Sequence, residues 1–150
     1  MSPRIPAIYR HLFTTIEPLL ATIGAVQALF FPTLLLSSTL PSIPYTRTLS
    51  PFFIQMTGSW LMLAYHDFYV LRREPSIHAW RQTLTASAIS DVFYTTSLVQ
   101  SMGPAWFFNP LRWNVVNACT VITTVGPFIA KLLFLAGVGF PKDDTTKKTS

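Results

Sequence analysis

Four long apolar stretches divide this chain, and they restrict its fold more than any other feature. They run over about 12–36, 52–71, 80–99 and 114–140. A helix needs about 20 mostly apolar residues to cross a hydrocarbon core of roughly 30 Å. Only 11% of the 150 residues are charged, against roughly a quarter in an average soluble domain. We therefore predict an all-α fold, a polytopic membrane four-helix bundle that occupies residues 1–140.

Prolines and glycines in the connectors mark where the predicted helices end. These residues are Pro41, Pro44, Pro51, Pro75, Gly103 and Pro104. The first stretch is too long for the core of a signal peptide and contains Glu17, so we expect it to be retained. The segment over 141–150 is polar and basic, which predicts a disordered tail.

Basic residues are divided unequally between the two sides of the predicted bundle. The side that holds both termini carries eight Lys and Arg residues, and the other side carries Arg47 and Arg112. Cytoplasmic loops are enriched in Lys and Arg, so we expect both termini to lie in the cytoplasm. We expect the protein to lie in the endoplasmic reticulum membrane. Trp80, Trp106 and Trp113 fall near predicted span ends, as is typical of interfacial anchors.

One ionisable residue falls inside each predicted span. The four residues are Glu17, Asp67, Asp91 and Lys131. A charge within a span costs at least about 2.5–3.5 kcal/mol and therefore needs a partner, water or a function. At about 1.5 Å per residue, the four lie within about two helical turns of one another in depth. We expect them to converge on one cavity in the inner leaflet.

These four residues predict acid/base chemistry. Three carboxyls that face one ammonium cannot all ionise cheaply in a low dielectric, so at least one is expected to keep its proton. A protonated carboxyl beside an ionised one is what general acid/base catalysis requires. We predict Asp91 as the acid or base, with Glu17 and Asp67 as its counterparts. Lys131 is the predicted electrostatic partner that keeps one carboxylate ionised.

Each charge also has a simpler interpretation. Asp67 is compatible with a solvated position at the level of the lipid headgroups. Its neighbour His66 is compatible with the same level and, on an ideal helix, points away from Asp67. Glu17 precedes Pro18, which favours a helix start there. Lys131 has the length to snorkel towards the interface. Asp91 has no such alternative except pairing with Lys131 for assembly.

Uncharged polar and aromatic residues accompany the charges. Tyr94 lies three residues after Asp91, on the same helix face, and Asn117 lies on a polar face that leads towards Lys131. Trp60 lies in the middle of its span, away from the interfaces. We predict Tyr94, Asn117 and Trp60 as substrate-binding residues. The polar faces also suit helix packing alone.

Other chemistries lack their sequence signatures. There is no zinc-ligand spacing, histidine box, glycine-rich phosphate loop or nucleophile elbow. Cys119 is the single cysteine and is expected to be a small apolar filler. The basic residues form no patch with interleaved aromatics, so nucleic acid is not an expected partner. We predict no cofactor and no metal, and an apolar small molecule that enters from lipid as substrate.

These charged positions and their neighbours resemble a family of small fungal four-helix integral membrane proteins known as a domain of unknown function. Asp67 and Lys131 stand where that family tends to have Glu and Arg, and Ala118-Cys119 replaces an aromatic-Gly pair. The matching segments are Ile16-Glu17-Pro18, Asp67 before Val70-Leu71-Arg72, Trp80-Arg81, Asp91, Arg112-Trp113-Asn114 and Lys131 before Leu133.

A looser similarity, in size, span count and intramembrane acids, connects the chain to the epoxide hydrolases of fungal polyketide pathways of the citreoviridin and aurovertin type. That resemblance implies an intramembrane enzyme of specialised metabolism, which opens an epoxide or cyclises an apolar polyketide or terpenoid. The alternative is a non-enzymatic binding, assembly or proton-coupled carrier bundle, in which the same charges form a structural network.

Overall fold

The computed structural model describes residues 5–40 and 43–140, and this part of the chain is built from helices joined by short turns. The predicted all-α fold is confirmed for these residues, which form no strand. The helices are α1 (Ala7–Phe30), α2 (Pro32–Thr39), α3 (Ser50–Tyr65), α4 (Ile77–Met102), α5 (Pro104–Phe107) and α6 (Val115–Leu135). The predicted tail over 141–150 lies outside the described residues.

The apolar stretch over 12–36 is not one helix. α1 begins earlier, at Ala7, and ends at Phe30, and α2 begins at Pro32. Phe31 leaves the helical conformation, with φ −132° and ψ 48°. The ring of a proline disfavours the α conformation in the residue before it, so Pro32 explains the break.

Pro18 lies inside α1 and does not start it. A π-helical turn, Leu12–Ile16, directly precedes Glu17-Pro18, and the helix continues through both. Proline has no N–H to donate and its ring crowds the preceding turn, so a wider turn before it relieves the clash. Glu17 is therefore held by a continuous helix, next to a π-helical turn of the kind often found at functional sites.

A second π-helical turn, His66–Val70, continues α3 and is followed by the 3₁₀ turn Leu71–Arg73. The π-helical turn His66–Val70 packs against the π-helical turn Leu12–Ile16 of α1. Glu17 follows one of these turns and Asp67 lies within the other, so the local geometry brings two acids to the same level of the fold.

The helices pack mainly as two pairs. α1 contacts α3 most extensively, and α4 contacts α6 most extensively. At one end, a cluster of Tyr9, Phe13, Trp80 and Phe134 joins the pairs, and the Tyr9 and Phe134 rings meet edge to face at 5.2 Å. The Tyr9 hydroxyl also donates to the carbonyl of Val138. The pairs are thereby tied together beside the acids.

Trp80 belongs to this core, which corrects its assignment as an interfacial anchor. Its side chain is fully buried, and Nε1 donates to the carbonyl of Glu74 at 3.0 Å. The indole is satisfied internally, because the chain turns back at Glu74 before α4 begins. An interfacial position would leave that N–H to water or headgroups.

Two of the described helices, Ala7–Phe30 and Val115–Leu135, are long and apolar enough to cross a membrane. Only 28% and 22% of their most apolar segments are buried within the chain. Large apolar side chains such as Phe30 and Ile122 are 66% and 64% exposed. The α-helical part of α3 is shorter, at 16 residues, and α4 carries polar stripes that lower its hydropathy.

Gly24 permits a close approach between α1 and α3, which yields a stability prediction. A Cβ at Gly24 would lie 3.0 Å from Cζ3 of Trp60. We expect Gly24→Ala to have a free energy of unfolding about 1–3 kcal/mol below that of Gly58→Ala, because both variants gain the same helix propensity but only at Gly24 must an indole move within a packed contact. Thermal unfolding in detergent measures this change.

Gly58→Ala on α3 is the matched control, since a Cβ there would meet nothing within 4 Å. Alanine is a better helix former than glycine by about 1 kcal/mol, so Gly58→Ala should be neutral or stabilising. Equal unfolding midpoints for the two variants would contradict the proposed contact with Trp60.

Candidate active site

Lys131 is the centre of an ion cluster that joins three helices. Its side chain is 1% exposed, and Nζ donates to Oε1 of Glu17 on α1 and to Oδ2 of Asp91 on α4, the latter at 2.7 Å. The ammonium therefore faces the two carboxylates and does not snorkel towards an interface. The structure brings these three predicted residues into direct contact.

Pro127 lies one turn before Lys131 within α6. A proline inside a helix removes the hydrogen bond to the carbonyl four residues earlier, which here belongs to Thr123. Both Pro127 and Thr123 line the cavity described below. α6 thus presents a locally weakened backbone to this cavity, one turn before the buried ammonium that binds the acids.

Glu17 and Asp91 are mostly enclosed, with side chains 17% and 23% exposed. Oε1 of Glu17 is bonded to Lys131, but Oε2 is buried and has no hydrogen-bond partner among the described residues. A buried polar atom without a partner costs about 1–3 kcal/mol, so such an atom marks a position for water or a ligand group.

Asp67 is the fourth predicted charge, and it does not contact Lys131. Its side chain is 5% exposed, which excludes a solvated carboxylate, and Oδ1 lies 2.9 Å from Nδ1 of His66. The expectation that His66 points away from Asp67 was wrong. Both residues lie in the π-helical turn, where successive side chains diverge by less than on an α-helix.

A cavity of about 500 Å³ lies between the helix pairs, and its volume falls in the usual range for small-molecule sites. Glu17, Asp67 and Asp91 all line it. Trp60 and Tyr94 line it further along, with their rings edge to face at 6.0 Å. Most of the remaining wall is apolar. The structure therefore places three predicted acids and two predicted substrate-binding residues on one cavity.

Asn117 is not among the residues that line this cavity. Its side chain is buried, its Oδ1 has no hydrogen-bond partner among the described residues, and its backbone N–H donates to the capping Oδ1 of Asn114. Asn117 lies in the first turn of α6, where the cap and neighbouring helices determine its environment. The polar face predicted for α6 does not by itself bring Asn117 to the site.

Three residues were missed as members of the site. Gln27 and Cys119 line the cavity, and His66 contacts one of its acids. Cys119 was expected to be a small apolar filler, and it is exposed on the cavity wall. Gln27 is a polar residue within an apolar stretch, and the reasoning applied to the four charges would have found it. No sequence signal separated Cys119 from a packing residue.

One ammonium between two carboxyls defines what the cluster can do. With one carboxyl ionised and the other protonated, Lys131, Glu17 and Asp91 together are electrically neutral, the state favoured in a low dielectric. That state offers a proton donor and a proton acceptor on the same wall. Residues 5–40 and 43–140 contain no group of three or more His, Cys, Asp or Glu side chains placed to hold a metal ion.

The fold and site define a helical protein with largely unburied apolar helices and a buried ion cluster on an internal cavity. The chain belongs to the family DUF7704, a domain of unknown function, whose match covers residues 2–141. No curated protein and no solved structure matches the chain significantly. The functional argument therefore depends on the geometry of the site.

The His66–Asp67 contact yields a second stability prediction. We expect His66→Leu to lower the free energy of unfolding by about 1–3 kcal/mol, because Asp67 would remain buried without its partner. His66→Gln, which retains a donor, should lose less. Thermal unfolding of both variants in detergent measures the difference. If His66→Leu, His66→Gln and the unmodified protein have the same thermal unfolding midpoint, the contact does not stabilise the fold.

Proposed function

We propose that this chain is an intramembrane acid/base enzyme of fungal specialised metabolism, which opens an epoxide or cyclises an apolar polyketide or terpenoid. The observation that carries the proposal is the Lys131 cluster on the wall of a largely apolar cavity. Charged residues are rarely placed beside an apolar substrate-sized space unless they pair for assembly or act on a ligand.

The proposal includes a membrane bundle of four spanning helices, α1, α3, α4 and α6. The bundle would lie in the endoplasmic reticulum membrane, with both termini in the cytoplasm. The mostly unburied apolar surfaces of α1 and α6 support it. The excess of basic residues on the side of the termini supports the orientation. Lipid would then cover these apolar surfaces, and an apolar substrate would reach the cavity from the bilayer.

The reaction follows from the two carboxyls. The protonated member of the Glu17–Asp91 pair donates its proton to the epoxide oxygen as the carbon–oxygen bond breaks and the bonding electrons pass to that oxygen. The ionised member removes a proton from water, or from a hydroxyl of the substrate, whose oxygen forms the new bond to carbon. The product is a diol or a cyclic ether, and transfer of a proton between the two carboxyls restores the starting state.

Each remaining residue has a role in this scheme. Oε2 of Glu17 has no partner among the described residues, so it is available to exchange a proton with water or the substrate. Lys131 stabilises the ionised carboxylate, and Asp67 lines the cavity as an additional acid. Tyr94 supplies a hydroxyl for a substrate oxygen, and Trp60 packs beside it. No electrons are gained or lost, so the scheme needs no cofactor.

Comparison of metabolites tests this function. A strain that lacks the gene should accumulate an apolar epoxide or uncyclised precursor, which microsomes containing the protein then convert. In water enriched in heavy oxygen, a hydrolase introduces one labelled oxygen, whereas a cyclase introduces none. Unchanged metabolites in the deletion strain, or conversion that is equal in microsomes lacking the protein, would contradict the proposal.

A non-enzymatic binding or carrier bundle is the second candidate. It is favoured by the fact that the same cluster ties α1, α4 and α6 together, as a purely structural network would. In that case the deletion strain would retain the same compounds in altered locations or amounts. Microsomes would then bind the compound without converting it.

A further inference from the structure

Uncharged polar side chains line the cavity at a distance from the acids. Thr120 and Thr124 lie on α6, and Gln27 lies on α1. At about 1.5 Å per residue, Thr124 and Thr120 lie about 10 and 16 Å from Lys131 along α6. By the same measure, Gln27 lies about 15 Å from Glu17 along α1. We call the side chains of Gln27, Thr120 and Thr124 the distal polar groups.

The distal polar groups are half-buried, and none of them makes a side-chain hydrogen bond to another residue that the structure describes. Thr123, which lies between the two threonines on α6, instead donates to the carbonyl of Cys119 within its own helix. A polar group in an apolar stretch is costly unless it is hydrogen-bonded. The three distal groups are therefore available to a partner inside the cavity.

The chemistry of the distal polar groups selects the kind of partner. A threonine hydroxyl can donate one hydrogen bond and accept two, and a glutamine amide can both donate and accept. Among the described residues that line the cavity, only Glu17, Asp67 and Asp91 are charged. A charged ligand group at the distal polar groups would lack a counter-charge. The group that matches them is a neutral hydroxyl or carbonyl oxygen.

We propose that the substrate is a neutral molecule with two separated oxygen groups, a reactive oxygen at Glu17 and Asp91 and a second hydroxyl or carbonyl at the distal polar groups. This inference rests on the proposed function for the identity of the reactive group. The epoxide of a bare hydrocarbon has no second oxygen and leaves the distal polar groups without a partner. A site built to bind a substrate oxygen discriminates against an analogue that lacks it, for this reason.

Two products of epoxide opening test the second oxygen in the unmodified protein, because neither is converted further. Dodecane-1,2-diol and dodecane-1,2,12-triol have the same carbon chain, and the triol adds one hydroxyl at the far end. That hydroxyl lies about 12 Å from the diol in an extended chain, at about 1.2 Å per bond. Binding of each tritiated compound is measured with the protein in lipid nanodiscs, and empty nanodiscs give the background from partition into lipid.

We expect the triple variant Gln27→Leu, Thr120→Val and Thr124→Val to lower the affinity for the triol about tenfold relative to the affinity for the diol. A hydroxyl loses both a donor and an acceptor in this variant, whereas the diol loses neither. Thr124→Val alone keeps the shape of the side chain and should lower the same ratio by about 2–10-fold. It provides the test if the triple variant does not fold.

Thr22→Val is the matched control for these substitutions. Thr22 lies on α1, does not line the cavity, and already donates to the carbonyl of Pro18 at 2.7 Å. Its loss should leave the ratio of the two affinities unchanged.

The outcomes separate this inference from the catalytic proposal. An equal loss of diol and triol affinity, a ratio that no variant changes, or a lack of binding by the unmodified protein overturns the second-oxygen site. If the ratio falls as expected but the deletion strain has unchanged metabolites, the second-oxygen site stands and the catalytic proposal falls. If that strain accumulates an epoxide with no second oxygen, catalysis stands and the second-oxygen site falls.

Discussion

Lys131→Met is expected to lower the free energy of unfolding by about 3–5 kcal/mol, because it leaves two enclosed carboxyls without their cation. Nζ of Lys131 is the shared donor to Glu17 and Asp91, and its side chain is 1% exposed. Methionine fills a similar volume, so the loss reports charge more than packing. Thermal unfolding in detergent, with protein level in the membrane as a second readout, measures the effect.

Two further variants identify the cause of that loss. Lys131→Arg keeps a cation and should retain most of the stability. Adding Glu17→Gln and Asp91→Asn to Lys131→Met removes the uncompensated charges and should restore most of it. If this triple variant is no more stable than Lys131→Met alone, lost packing and not electrostatics accounts for the change.

Asp91→Asn is expected to lower the rate of product formation by about 10²–10⁴-fold, the usual contribution of a general acid or base. The amide keeps the shape of the side chain but can neither give an acidic proton to the substrate nor accept one from it. Lys131 retains Glu17 as a partner in this variant, so the protein should still fold. The measurement is conversion of the accumulated precursor by microsomes with matched amounts of protein.

Thr96→Val is the control for Asp91→Asn. Thr96 lies on the same helix, is exposed, and donates only to the carbonyl of Val92 within that helix. Its loss should leave product formation unchanged. If the Asp91→Asn protein is lost from the membrane while each remaining molecule keeps full activity, the charges form a structural network and the enzyme proposal is contradicted.

The sequence predicted helical structure and its breakers well, because both depend on local chemistry. Pro75 lies in the turn before α4, Gly103 caps the end of α4, and Pro51 and Pro104 fall in the first turns of α3 and α5. The break at Phe31 was missed, although Pro32 that causes it is equally local, because the apolar run continues across it. Hydropathy alone does not distinguish a broken apolar run from a continuous helix.

Positions of single side chains were less predictable. Trp80 carries the signature of an interfacial anchor but is buried against Phe134 at the end of the bundle. His66 should diverge from Asp67 on an ideal helix, yet a π-helical turn brings them into contact. Both outcomes depend on contacts with other helices, which periodicity along one helix does not contain.

The sequence by itself determined that the chain is helical, rich in apolar surface and marked by Glu17, Asp67, Asp91 and Lys131, because the cost of a charge in an apolar stretch is a local property. Only the tertiary structure decided that Lys131 binds Glu17 and Asp91 while Asp67 pairs with His66. It also decided that Glu17, Asp67 and Asp91 line one cavity. Depth along a helix follows from residue number, but the direction of a side chain about the helix axis depends on how the helices pack.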